Sequence, residues 1–232
     1  MTTSWKAHPE SLGRYRPADG RKALLLYLLL MGLLLLQGYA STTQLSVSIL
    51  ESLQVLVPLA GLLLTLVWVK GSRQPLSSLG FVRAQLGRSL LLGLGLALGL
   101  LAVLLGVLVW FQQKSVQMHW EVSLPSLVLL FIGALEEEAV FRGYLGTRLS
   151  SLWKNPLLCS GVTGLLFLLI HYPVFWFPVG GITFSALDSV HVLMILLLHA
   201  VCDFVYRRTH CLWGSVALHF LYNLGSSLFL LS

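Results

Sequence analysis

Long apolar runs, each about as long as a bilayer is thick, follow one another along almost the whole chain, with the polar residues gathered in short stretches between them. A helix needs about 20 mostly apolar residues to cross the hydrocarbon core. There the backbone groups must bond within the segment, so such a run takes helical form. The pattern predicts seven spans, at 23–40, 50–69, 90–111, 125–145, 157–177, 190–206 and 211–231. The expected fold class is all-α, a polytopic transmembrane helix bundle.

Of the 232 residues 56% are hydrophobic and only 10% charged, a balance outside the range of water-soluble domains. The net charge of +6 could suggest nucleic acid. Yet the Lys and Arg residues form no patch with interleaved aromatics, so no nucleic-acid partner is expected. They fit a topology signal instead. Cytoplasmic connections of membrane proteins gather Lys and Arg, and here they fall on alternate connections. The tail holds Lys6, Arg14, Arg16, Arg21 and Lys22, and the second connection Lys70, Arg73, Arg83 and Arg88. The fourth has Arg142, Arg148 and Lys154, the sixth Arg207 and Arg208, and Lys114 alone falls on the other side. This places the N-terminus in the cytoplasm and the C-terminus outside. The expected location is a bacterial cytoplasmic membrane, an organelle membrane being the alternative.

The chain divides into a cytoplasmic tail at 1–22, N-terminal transmembrane helices at 23–111 and a chemistry-bearing membrane segment at 120–227. The first apolar run is as long as a full span and shows no small-residue cleavage pattern, so it is read as a retained helix. Cys159, Cys202 and Cys211 are odd in number and have no C-x-x-C spacing, which suggests neither disulfides nor a zinc knuckle. Between the second and third spans, Leu76, Leu79, Phe81, Val82 and Leu86 alternate with Arg73, Arg83 and Arg88, as in an interfacial amphipathic stretch or a plain loop. Gly93, Gly95, Gly99 and Gly106 in the third span permit close helix contacts.

The fourth span carries Glu136, Glu137 and Glu138 inside an apolar helix, with Arg142 four residues beyond the last. Carboxylates within a span are costly and are expected to face the protein interior or a wet cavity. Glu138 and Arg142 stand at i and i+4 with the acid first, the favoured order for an ion pair on one face. Glu137 is turned about 100° away, near Gly133 one turn earlier, which leaves it free to act as a base. Phe167 and His171 share a face of the fifth span, His219 and Asn223 a face of the seventh, and His199 and Asp203 a face of the sixth. Each of these pairs is compatible with simple hydrogen bonding between helices. Counted from the cytoplasmic boundary, however, Glu137, His171 and His219 fall roughly 12–20 Å into the membrane, so three helices can bring them to one level.

Three stretches in this order resemble one family. Glu137-Glu138-Ala-Val-Phe-Arg142 resembles its E-E-x-x-x-R motif, Phe167-Leu-Leu-Ile-His171 its F-x-x-x-H motif, and His219-Phe-Leu-Tyr-Asn223 its H-x-x-x-N motif. The family is that of the CAAX prenyl proteases and bacteriocin-processing enzymes, also called CPBP or Abi, which are intramembrane proteases. The resemblance covers roughly residues 120–227, and Leu79-Gly80-Phe81 is similar to an element upstream in such proteins. Glu136, as a third acid, and His199 and Asp203, where small residues are expected, depart from the pattern and stay outside the proposed catalytic set.

The resemblance implies an intramembrane endopeptidase that hydrolyses a peptide bond of a protein or peptide substrate. Glu137 and His171 would activate water, His219 and Asn223 would form the oxyanion hole, and Glu138 and Arg142 would brace the helix that carries the base. No cofactor is expected. The alternative is a divalent metal such as zinc, since a Glu and two His match a known zinc ligand set, although H-E-x-x-H is absent. Two other readings compete: a non-enzymatic membrane immunity or scaffold protein, and a proton-coupled transporter, which also uses buried Glu and His. No inverted repeat relates the two halves, and the polar residues are confined to the second.

Overall fold

A computed structural model of the chain describes residues 15–111, 113, 116–118 and 122–231. Lys6, Arg14, Lys114, most of the 1–22 tail and the first two residues of the 120–227 segment lie outside the described residues. The long helices are α1 (Pro17–Ala40), α2 (Val47–Gly71), α3 (Leu86–Gly106), α4 (Leu124–Glu138), α6 (Pro156–Leu169), α8 (Ser189–Thr209) and α9 (Leu212–Ser227). The short turns α5 (Gly146–Arg148) and α7 (Pro173–Trp176) follow α4 and α6. One small ladder, β1 (Val116–Met118) against β2 (Phe229–Leu231), is antiparallel.

The protein is an all-α integral membrane bundle of about seven spans. Among the described residues, five helices are long and apolar enough to cross a bilayer by length and composition. Large side chains on the first three face outward, with Leu28 63% and Leu98 70% exposed, as suits contact with lipid. The two remaining spans, α4 with 15 residues and α9, fall short of that description. α4 carries the three acids, and α9 has only 16 residues, about 24 Å of helix. These two are the helices that carry most of the polar residues singled out above.

Each of the seven apolar runs forms a helix, and the differences lie at the ends. α1 begins at Pro17, whose fixed φ and missing N–H suit a first helical turn. α4 runs on from Glu138 as a π-helical segment, Ala139–Leu145, buried at every residue. π-bulges of this kind are frequent at functional sites. α6 stops before His171, and Pro173, which has no N–H to extend the ladder, opens α7.

The stretch between α2 and α3 is neither an interfacial helix nor a loose loop. Its 3₁₀ turn Leu76–Leu79 is pinned against the π segment of α4, with Leu79 fully buried. A Cβ added at Gly143 would sit 2.7 Å from the Leu79 carbonyl oxygen. Buried Arg148 donates to the Ser78 carbonyl (3.2 Å), Ser78 Oγ (2.7 Å) and Gln74 Oε1 (2.5 Å). Gly80 turns in the left-handed region (φ 88°), and its carbonyl accepts from Leu212 N–H, 2.9 Å, at the start of α9. One segment thereby fixes the foot of α4 relative to the foot of α9.

Of the five α3 glycines only Gly93 is a contact point. A Cβ there would lie 2.1 Å from the Gly214 carbonyl oxygen on α9, whereas Gly95, Gly99 and Gly106 have open space beside them. Ser89 Oγ locks the same crossing, accepting from Gly214 N–H (3.1 Å) and donating to the Cys211 carbonyl (3.0 Å). Gly93→Ala is therefore expected to cost about 1–3 kcal/mol as overpacking, and Gly95→Ala to leave stability unchanged. Thermal unfolding of the two variants in detergent checks this, and equal midpoints would contradict the close crossing.

Candidate active site

Glu138 is fully buried, and its Oε1 lies 2.9 Å from Arg142 Nη1 and 2.9 Å from His219 Nδ1. The i,i+4 pair expected on α4 is present, and it extends across to α9. Arg142 also donates through Nη2 to the His199 carbonyl on α8 (3.1 Å) and lies over the Phe167 ring, 4.7 Å from its centroid. A charged pair taken out of water is tolerated when its geometry is close and its remaining groups are bonded; the contacts from α6, α8 and α9 meet part of that need, while Glu138 Oε2 and Arg142 Nε have no hydrogen-bond partner among the described residues.

Glu137 is on a different face. Its side chain remains 27% exposed, Oε2 has no hydrogen-bond partner among the described residues, and His219 Nε2 stands 3.9 Å from it. It borders a cavity of about 380 Å³ bounded by α1, α2, α4 and the α6–α7 turn. Apolar side chains such as Leu30, Leu33 and Val57 form most of the wall, with Glu136, Glu137 and His171 as its titratable groups. Gly133, one turn before Glu137, lines the same space with nothing packed against it. Pro58, which breaks the hydrogen-bond ladder of α2, faces the cavity from the opposite side.

His171 owes its orientation to the end of α6. Its N–H goes to the Leu168 carbonyl (3.2 Å), and its Nδ1 donates to the Phe167 carbonyl, 2.7 Å away. A carbonyl only accepts, so Nδ1 carries the proton and Nε2 is the basic nitrogen of the neutral ring. For His219, Nδ1 is engaged with Glu138 and Nε2 is turned toward Glu137.

The level at which the helices meet is marked by Phe167, fully buried. Its ring contacts Phe141 (4.9 Å between centroids), His171 (5.1 Å), His199 (5.5 Å) and His219 (6.1 Å). His171 and His219 thus meet at this ring, and Glu137 reaches the group through its 3.9 Å approach to His219 Nε2. Asn223 follows His219 by one turn on α9 and is half-buried, but it does not line the cavity.

Glu136 turns toward α2. A Cβ at Gly61 would lie 2.6 Å from its Oε1, so the glycine makes room for the third acid. His199 and Asp203 do not pair with each other. His199 Nε2 donates to the Ser160 carbonyl (3.2 Å), while Asp203 Oδ2 accepts from Ser160 Oγ (2.5 Å) and Arg207 Nε (2.7 Å). They join α8 to α6 at the edge of the site.

A metal would need three converging ligands. His171 and His219 each have Nδ1 bonded and Nε2 open, as metal-binding histidines commonly do. Among the described residues, however, no three His, Cys, Asp or Glu side chains come together as a ligand set.

Sequence reasoning passed over three parts of this site. The first two spans, which carry no catalytic motif, supply the far wall of the cavity through Gln37, Gln54 and Gly61. Arg148 looked like a topology signal and is a buried clamp. Phe167 was visible as a motif residue on the same face as His171, but an aromatic residue in an apolar helix gives no sign of what it touches on other helices.

Residues 119–225 match the family model described as type II CAAX prenyl endopeptidase, Rce1-like. No curated protein and no solved structure matches the chain. The match spans Glu137, Glu138 and Arg142, Phe167 and His171, and His219 and Asn223, all three motifs in order. The segment that carries the three motifs is therefore similar to the Rce1-like CAAX prenyl endopeptidases.

Proposed function

We propose that this protein is an intramembrane endopeptidase that hydrolyses a peptide bond of a protein or peptide substrate, with water activated by Glu137 and His171. The observation that carries this reading is the position of Glu137. Its carboxylate borders an apolar cavity shared with His171, has an oxygen without a partner, and faces His219 Nε2. Likeness to the family over residues 119–225 supports the reaction class, and the side chains suggest the roles.

Water held between Glu137 and His171 Nε2 gives a proton to the Glu137 carboxylate as its oxygen attacks the scissile carbonyl. The resulting oxyanion would take hydrogen bonds from His219 and from Asn223, one turn along α9. A donor at His219 Nε2 requires the doubly protonated ring, since Nδ1–H is directed at Glu138, and the Glu138 carboxylate is the counter-ion for that state. One oxyanion donor contributes about 3 kcal/mol to a transition state in a water-poor site. Glu137 then passes its proton to the departing amine, so that water and a peptide bond become a carboxylic acid and an amine. Glu138 and Arg142 act by positioning, tying α4 to the helix of His219.

The reading is metal-free, and its support is the lack of a converging ligand set among the described residues. Detergent-purified protein is expected to cleave members of a membrane-peptide reporter library, at the same rate with and without a strong chelator. Products read by mass spectrometry would give the cleaved bond. Loss of cleavage in chelator with recovery on adding zinc would overturn the metal-free form.

A further inference from the structure

We propose that a groove between α3 and α8 binds a phospholipid with an anionic headgroup. The groove is shallow, about 600 Å³, shares no residue with the cavity at Glu137, and is walled by Arg88, Leu91, Leu92, Phe204 and Arg208. The proposal does not depend on the peptidase reading.

Arg88 lies in the first turn of α3 and Arg208 in the last turn of α8, so both guanidinium groups stand at the same end of the helix pair. Neither forms an ion pair with a carboxylate among the described residues, and both are exposed. Arg208 lies over the Phe204 ring, 5.3 Å from its centroid. A guanidinium stacked in this way keeps its N–H edge for bidentate contact with a phosphate.

Beneath the two cations the wall is apolar. Leu91 is 75% exposed, a surface that an acyl chain would cover. The connection from Lys70 to Arg88 contains Arg73 and Arg83 and no acid, and the nearby Asp203 is already paired with Arg207. Two cations above an apolar trough complement an anionic amphiphile, and basic pockets between membrane helices bind such headgroups. Inorganic phosphate shares the headgroup chemistry but would leave the trough uncovered.

Native mass spectrometry of delipidated protein, titrated with phosphatidylglycerol, phosphatidylcholine or inorganic phosphate, tests the assignment. Wild type is expected to retain phosphatidylglycerol in preference to phosphatidylcholine, and inorganic phosphate is expected not to displace it. The Arg88→Gln, Arg208→Gln double variant should bind phosphatidylglycerol roughly thirtyfold more weakly, from two surface cations lost. Leu91→Glu, which adds an acid to the trough and disturbs no buried contact, should weaken it as well. Unchanged affinity in either variant, or equal retention of the two lipids, would overturn the proposal. Displacement by inorganic phosphate would overturn it too, by showing an anion site without a lipid.

Discussion

Glu137→Gln is expected to lower the rate of peptide cleavage by roughly 10²- to 10⁴-fold, the usual contribution of a general base, while the protein folds and melts as wild type does. The amide keeps the shape of the carboxyl group but cannot accept the water proton. Stability should be unaffected because, among the described residues, Glu137 Oε2 has no hydrogen-bond partner and its nearest basic nitrogen is 3.9 Å away. Glu136→Gln is the matched control, a neighbouring acid on the same cavity but turned to Gly61, and it should retain most activity. Initial rates on one reporter peptide separate the two, and cleavage that survives Glu137→Gln would sink the proposed mechanism.

Glu138→Ala has the opposite profile, a loss of stability that takes activity with it. Removing one member of a buried ion pair strands the other charge, at a cost of about 3–5 kcal/mol. Here Arg142, which is 1% exposed, would be stranded, and His219 would lose the partner of its Nδ1. Replacing both members, as in Glu138→Leu with Arg142→Met, avoids the unpaired charge and should melt above Glu138→Ala, yet stay inactive because nothing then orients His219. Unfolding in detergent and cleavage rates measured on the same samples make the comparison. If Glu138→Ala melted with wild type, the pair would not be the buried anchor described above.

The seven spans were legible because lipid imposes a single demand on them, a sustained apolar run. The Glu138–Arg142 pair was legible for a similar reason, since helix geometry alone makes residues four apart neighbours. His219 marks where such reasoning stops. Its place on α9 was evident, but its bond to Glu138, 81 residues away in sequence, is a product of packing that no helical period encodes. The α3 glycines make the same point. A small side chain permits a neighbour to approach, and only at Gly93 does α9 take up the opportunity. The segment from Lys70 to Ser89 was ambiguous because its mixture of leucines and arginines suits a membrane surface as well as a buried clamp. What decides it is the cluster of acceptors at Gln74 and Ser78 around Arg148.

The aromatic ring of Phe167 is within contact range of three histidines at once. Its circulating π electrons shift the resonances of nearby imidazole protons, by an amount that falls steeply with distance and depends on ring tilt. The histidine signals of this protein, recorded with selective isotope labelling in micelles, would therefore report the alignment of α6, α8 and α9 directly. Without substrate and without turnover, the site has a spectroscopic ruler built into it.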